Sequence, residues 1–170
     1  MKRVRRVLDA LLGGVLALLL GGMVLILAWQ VISRYLLGAP STLSEETLRF
    51  GVIWMSLLGA AYATGQGSHM AVDFFRDMSP PRVNRMLHYL VPISFIVFAV
   101  FVLILGGLRG VTIASGQHSP VLRVPMGLIY ASLPTSGVLI VLYSLLNIVD
   151  LKLGARRLPD ELARALGAGD

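Results

Sequence analysis

Two adjacent carboxylates, Glu45 and Glu46, stand directly ahead of an apolar run in the stretch STLSEETLRFGVIW. Carboxylates at this position could bind a proton or a cation, form a salt bridge with a partner, or stabilise the start of a helix. Arg49 follows at a spacing that places it beside both glutamates on one face of a helix. Arg34 is a second possible counter-charge for the pair.

The pattern Thr42-x-x-Glu45 is typical of a capping box, in which Thr42 caps the helix and Glu45 lies in its first turn. It predicts a helix over residues 43–64. At about 1.5 Å per residue such a helix is ~33 Å long, enough to cross a hydrocarbon core of ~30 Å. The apolar run itself, residues 50–63, is too short to span without these flanking residues.

The composition is that of a membrane protein. Of the 170 residues, 56% are hydrophobic and 14% are charged, the mean hydropathy is +0.78, and there is no cysteine. Soluble domains carry about a quarter charged residues. The sequence therefore predicts an all-α integral membrane protein with four transmembrane helices, over residues 8–33, 43–64, 82–108 and 124–149.

Lysine and arginine set the predicted orientation. Eleven of the 15 lie before the first span, between the second and third spans or at the very start of the third, or after the fourth. The positive-inside rule therefore places both termini and the middle loop in the cytoplasm and the two glutamates outside. The same rule explains the net charge of +6 without nucleic acid, and no nucleic-acid partner is expected because no basic cluster is interleaved with aromatic residues.

A short amphipathic segment follows the second span. Val72, Phe75 and Met78 recur at three-residue spacing between polar residues. This spacing predicts a cytoplasmic interfacial helix over residues 70–79, with its apolar face among the lipid headgroups. A surface loop is the alternative. Residues 151–170 form a predicted cytoplasmic tail.

The predicted spans carry no row of ionisable side chains that could relay protons, and no histidines placed to bind haem or zinc. No nucleophile motif accompanies the serines. We therefore expect neither an enzyme nor a cofactor. Small residues let helices approach closely in lipid, and they could pack these helices together or face a second membrane protein. The helix-packing candidates are Gly14, Gly21, Gly59, Ala60, Gly106 and Gly110.

The order of several short stretches resembles one known family. SRYLLG ends the first span, SEETLRF and GVIWMSLLGAAYAT (with Trp54) form the second, GSHMAVDFF follows it, and GQHSPVLRVPMGLIYASLP precedes the last helix. This arrangement is similar to that of the DctQ-like small membrane subunits of tripartite ATP-independent periplasmic (TRAP) transporters. The family pattern leads one to expect a tryptophan shortly before the acidic pair, where this chain has Leu43.

The resemblance implies a bacterial or archaeal inner-membrane protein with two partners. One is a large membrane subunit that holds the substrate and sodium sites. The other is a periplasmic binding protein that delivers an organic acid such as a C4-dicarboxylate or a sialic acid. The small subunit would be a non-catalytic scaffold. A stand-alone homo-oligomeric channel or carrier, and an anchor or assembly subunit of another complex, are the alternatives.

In a subunit of this kind, the acidic pair Glu45 and Glu46 has three possible roles. Capping is one, and ion or substrate binding is another. The third is a salt-bridge cluster or partner interface, for which the candidates are Arg34, Glu45, Glu46, Arg49 and Trp54.

Overall fold

A computed structural model describes residues 2–38, 41–66 and 81–152. It is all-helical in these ranges, with no strand beyond an isolated antiparallel bridge between His118 and Pro125. The predicted interfacial helix over residues 70–79, with Val72, Phe75 and Met78, lies outside the described residues, as does the tail beyond residue 152. The helices are α1 (Lys2–Tyr35), α2 (Thr42–Gln66), α3 (Pro81–Phe98), a π-helical segment (Ala99–Gly106), α4 (Gly107–Ala114), α5 (Met126–Tyr130) and α6 (Ser132–Lys152).

Three of the described helical stretches are long and apolar enough to cross a membrane: Arg5–Tyr35, Leu90–Ala114 and Met126–Val149. The second of these runs through α3, the π-helical segment and α4 without a break, since Phe98, Gly106 and Gly107 all have right-handed helical backbone angles. We call this continuous helix the third rod. Helix α2 is 25 residues long but is not one of the three, because polar residues at both of its ends shorten its apolar stretch.

The helices pack side by side in alternating directions. Gly51 of α2 lies against Met23 of α1, and Gly13 of α1 lies against Tyr62 of α2. These two contacts fix α1 and α2 as antiparallel neighbours. Helix α6 lies against both α2 and the third rod. The shared core comprises Leu12, Leu58, Ala61, Ala99, Leu103, Ile140 and Tyr143.

Helix α6 and the third rod approach each other closely at two glycines. A Cβ placed on Gly107 would lie 2.8 Å from Pro134 Cδ and 2.9 Å from Leu133 Cβ, and one on Gly137 would lie 2.9 Å from Leu103 Cβ. Pro134 stands in the first turn of α6, where its missing N–H has no partner to lose. The two helices can approach this closely because glycine occupies positions 107 and 137.

The small residues chosen from the sequence lie elsewhere. A Cβ on Gly14, Gly21 or Gly59 would meet no atom within 4 Å, and Ala60 is exposed. On Gly106 a Cβ would meet only the Phe101 carbonyl, at 3.7 Å, whereas Gly110 lies against the Tyr130 ring at 3.3 Å. The pattern Gly106-x-x-x-Gly110 assumed regular α-helix. The π-helical segment, with its wider turn, alters this register, and it is Gly107 that faces α6.

The neighbouring glycines Gly106 and Gly107 provide a matched test. We expect Gly107→Ala to lower the free energy of unfolding by about 1–3 kcal/mol, because the added methyl overpacks the contact with α6. Gly106→Ala should leave stability unchanged or slightly raised, because alanine favours helix and has space there. Thermal unfolding of both variants in detergent measures the difference, and equal melting temperatures would contradict the assigned helix register.

Candidate functional site

The cap of α2 lies one residue earlier than predicted. Helix α2 begins at Thr42, and the Ser44 amide donates to Ser41 Oγ at 3.3 Å, while the hydroxyls of Ser41 and Ser44 are 2.9 Å apart. The Ser41 carbonyl also accepts a hydrogen bond from the Glu45 amide, at 3.3 Å. The prediction of Thr42 as the cap is therefore wrong by one residue. Capping is done by serines, which leaves both glutamates available for other contacts.

The structure separates the two glutamates. Glu45 is exposed and forms an ion pair with Arg49 at 3.4 Å, one helical turn away. Both side chains of this pair are more than half exposed, at 63% and 69%, so the pair contributes little to stability. Arg34 is also exposed and forms no ion pair with either glutamate in the part of the chain that the structure describes.

Glu46, in contrast, is 8% exposed and binds a distant loop. Its Oε2 accepts hydrogen bonds from the Leu122 amide at 2.7 Å and the Val121 amide at 3.2 Å. These amides belong to the connection between α4 and α5, residues 115–125. A buried carboxylate is tolerated when donors of this kind compensate for its lost hydration. Glu46 therefore fastens the start of α2 to this connection.

The connection is itself a small closed turn, which we call the hairpin loop (residues 115–125). The Ser119 amide donates to the Val124 carbonyl at 2.9 Å, and the Met126 amide donates to the Gln117 carbonyl at 2.8 Å. Arg123, at the turn, is exposed and has a φ of 52°, a left-handed conformation that is uncommon for a residue with a side chain. The contacts to Glu46 help to hold this turn.

Trp54, the last of the predicted interface residues, is partly buried and packs against the core. The structure thus pairs Glu45 with Arg49 and buries Glu46. Within the described ranges, neither Arg34 nor Trp54 forms a hydrogen bond or an ion pair with these three residues. No group of three or more metal-binding side chains is found within the described ranges.

A second polar cluster, not predicted from the sequence, lies at the other end of the bundle, where it joins α1, α2 and α6. Tyr143 Oη of α6 donates to Asp9 Oδ1 of α1 at 2.9 Å, and Asn147 Nδ2 donates to the Thr64 carbonyl of α2 at 3.0 Å. The Arg5 guanidinium donates to the carbonyl of Gly65. A Cβ on Gly65 would lie 2.5 Å from the Tyr143 ring, so only glycine fits beneath it.

Two sequence signals could have pointed to this cluster. Asp9 is the sole acidic residue among the first 30, and Asn147 is an amide within an apolar run. Neither signal names a partner, because the contacts join residues more than 80 positions apart.

The geometry defines a bundle of membrane helices that is fastened by polar contacts at both ends. Residues 23–153, more than half of the chain, match the family model of the tripartite ATP-independent periplasmic transporters, DctQ component. The chain belongs to this family. It is a multi-pass inner-membrane protein of a family of transporter permease subunits, which are not enzymes.

Several relatives agree with this membership. The chain is 29% identical to the sialic acid TRAP transporter small permease protein SiaQ of Vibrio cholerae over 62% of this chain and 61% of that protein. It is 26% identical to the C4-dicarboxylate TRAP transporter small permease protein DctQ of the same species, over 60% of this chain and 44% of that protein.

A longer relative is also similar. Identity to the sialic acid TRAP transporter permease protein SiaT of Haemophilus influenzae is 26% over 89% of this chain, but over only 24% of that protein. The chain therefore spans less than two thirds of each of these relatives.

The separation of the glutamates predicts different effects of matched substitutions. Glu46→Ala removes the acceptor for two amides. Since hydrogen bonds to charged groups contribute about 1.5–3 kcal/mol, we expect amide hydrogen exchange in the hairpin loop to accelerate by about 10- to 100-fold. Glu46→Gln, which keeps a neutral acceptor, should have a smaller effect. Exchange measured by mass spectrometry on the protein in nanodiscs provides the readout.

Glu45→Ala is the control for this experiment, because it removes an adjacent carboxylate that touches only Arg49. We expect hydrogen exchange in the hairpin loop to be unchanged in that variant. Equal acceleration in the Glu45 and Glu46 variants would show that helix charge, and not the specific contact, governs the loop.

Proposed function

We propose that this chain is the small, non-catalytic scaffold subunit of a sodium-coupled, binding-protein-dependent transporter of an organic acid, and that it supports a large membrane transport subunit. Family membership supports this assignment. The match to one quarter of the longer SiaT chain also supports it, since a segment similar to this chain is there joined to a larger permease. Relatives named for sialic acid and for C4-dicarboxylate suggest the substrate class.

The observation that carries the proposal is how the chain uses its polar groups. In α6 the buried Ser132 and Ser136 donate to carbonyls of the preceding turn, at 2.6 and 2.9 Å. The acidic and basic residues of the described helices lie within about two turns of a helix end, where Glu46 and Asp9 fasten the bundle. These polar groups thus hold helices and loops together, which supports a structural role for the chain.

The surface of α1 suits a partner in the membrane. Only 6% of its most apolar stretch is buried inside the protein, so this long helix contacts the rest of the chain along one side. Its exposed side carries Gly14 and Gly21, which have free space around them. Small residues on an open helix face favour close helix association in lipid. We therefore place the large subunit against this side of α1.

We further propose that α2 crosses the membrane, which gives four spans. It is about 37 Å long at 1.5 Å per residue, longer than the hydrocarbon core of ~30 Å. It lies antiparallel to α1 from Gly51 to Tyr62, and its two ends contact the hairpin loop and the end of α6. A helix packed along spanning neighbours in this way crosses with them.

The charge distribution orients these spans. Both termini and the segment after α2 would lie in the cytoplasm, and the interfacial helix over residues 70–79 would rest on that side. The hairpin loop and the Glu45–Arg49 pair would face the periplasm. Exposed arginines at this end, Arg34, Arg109 and Arg123, offer a basic surface on which we propose the substrate-binding protein docks.

Reconstituted uptake tests the proposed function. Proteoliposomes would contain this chain alone, the large subunit alone, or both, each with the binding protein and with or without a sodium gradient. We expect organic-acid uptake only when both membrane subunits and inward-directed sodium are present. Transport or ion conductance by this chain alone would establish the channel or carrier alternative. Uptake by the large subunit without this chain would contradict the scaffold role.

A further inference from the structure

A groove on the surface of the bundle lies between α2 and the α5–α6 segment. It has a volume of about 350 Å³, within the range of sites that bind small molecules. Its walls are mainly apolar, formed by Phe50, Ile53 and Leu57 on α2 and by Ile129 and Leu133 on the opposite side, where Tyr130 and Ser132 also line it. An apolar groove that is open along a membrane protein is suited to a chain-like hydrophobic ligand.

Charged groups lie at one end of this groove only. Glu46 and Arg49 are among its lining residues, and Arg49 is in turn paired with Glu45 at 3.4 Å. Glu46 uses its Oε2 on the hairpin loop, so Arg49 is the exposed charge that lines the mouth. Glu45 does not line the groove but lies beside the mouth as the ion-pair partner of Arg49. The site therefore offers a cation at the mouth with an anion paired to it, followed by a mainly apolar channel.

The length of the groove corresponds to one leaflet of a bilayer. Glu46 and Leu57 mark its two ends on α2, and 11 residues of helix at 1.5 Å each span about 17 Å. Half of a ~30 Å hydrocarbon core is about 15 Å. With the charged end at the headgroup level, the apolar end reaches the middle of the membrane.

We propose that this groove binds one zwitterionic phospholipid of the phosphatidylethanolamine type. The phosphate would accept hydrogen bonds from the Arg49 guanidinium, whose planar donors suit phosphate oxygens. The ammonium group would lie on the Glu45 carboxylate, and one acyl chain would fill the channel past Ile53. Separating the exposed Glu45–Arg49 pair to admit the headgroup costs little, because such a pair is weak in water.

Charge complementarity distinguishes this ligand from other occupants. An anionic lipid would also place a phosphate on Arg49. Beside Glu45, however, it would place either a further negative charge or an uncharged headgroup. A side chain of the large subunit would satisfy one of the two charges and fill only part of the channel. The proposal rests on the proposed crossing of the membrane by α2. It does not depend on the scaffold function, because the groove is built from this chain alone.

Native mass spectrometry of the full chain, delipidated in detergent and titrated with phosphatidylethanolamine or phosphatidylglycerol, tests the proposal. We expect one tightly held phosphatidylethanolamine, with at least a fivefold preference over phosphatidylglycerol. Arg49→Gln removes the phosphate contact and Ile53→Trp fills the channel. Each should reduce the occupancy of this lipid at least fivefold.

Two matched substitutions serve as controls. Arg109→Gln removes an exposed arginine that does not line the groove, and Val97→Trp enlarges an exposed apolar residue on the third rod. Both should retain the bound lipid, and circular dichroism should show the same helix content in all four variants. Ile53→Phe, which fills less of the channel, covers the case in which Ile53→Trp does not fold, and it should also reduce lipid occupancy.

Equal lipid occupancy in the groove variants and the controls would overturn the proposal. Equal binding of the two lipids would overturn the role of the charge pair. The same variants would also be co-purified with the large subunit. Loss of that subunit from Ile53→Trp, with lipid occupancy unchanged, would assign the groove to that partner instead.

Discussion

The start of α2 and the hairpin loop lie at the same end of the bundle. The contact between the Glu46 carboxylate and the amides of Val121 and Leu122 is the constraint on which the structure of that end depends. The contact spans 75 residues of sequence and joins the first turns of α2 to the hairpin loop. A carboxylate so deeply buried is retained only where donors replace its hydration. Because the loop leads directly into α5 and α6, Glu46 also fixes where the last spanning helix begins relative to α2.

The opposite end of the bundle is fastened in a comparable way. Asp9, Tyr143 and Asn147 connect α1, α6 and the last turn of α2, while the middle of the bundle relies on close packing of glycine against α6. Apolar side chains gain little by facing each other instead of lipid tails, so membrane helices depend on small-residue contacts and on polar contacts of this kind. The arrangement leaves most of α1 open, which accords with a subunit made to associate with a larger one.

The sequence predicted the class of the protein and most of its helices, because these depend on local composition and periodicity. The runs of α1, the third rod and α6 are apolar over the thickness of a bilayer, and no tertiary contact is needed to recognise them. Helix α2 was recognised through polar residues at its start, although the cap proved to be Ser41. The family likewise followed from the order of short stretches, and the match over residues 23–153 confirmed it.

The site was only partly predictable. Spacing correctly paired Glu45 with Arg49, since that contact is made within one helical turn. The role of Glu46 could not be predicted, because backbone amides of a distant loop leave no signature in the sequence. The contact of Gly107 with Pro134 and Leu133 was not predicted either, because the π-helical segment that precedes it has no signature in the sequence. Residues in open space, such as Gly14 and Gly59, look identical in sequence to those in tight contact.

The central claim is that α2 crosses the membrane and that Glu46 therefore holds a loop on the periplasmic side. Because the chain contains no cysteine, single cysteines can be introduced without other changes. Arg123→Cys, in the hairpin loop, and Gln66→Cys, at the far end of α2, would be labelled with a membrane-impermeant maleimide in intact spheroplasts and in inverted vesicles. The four-span account predicts labelling of position 123 in spheroplasts only and of position 66 in inverted vesicles only. Labelling of both positions from the same side would show that α2 does not cross, and would contradict the account.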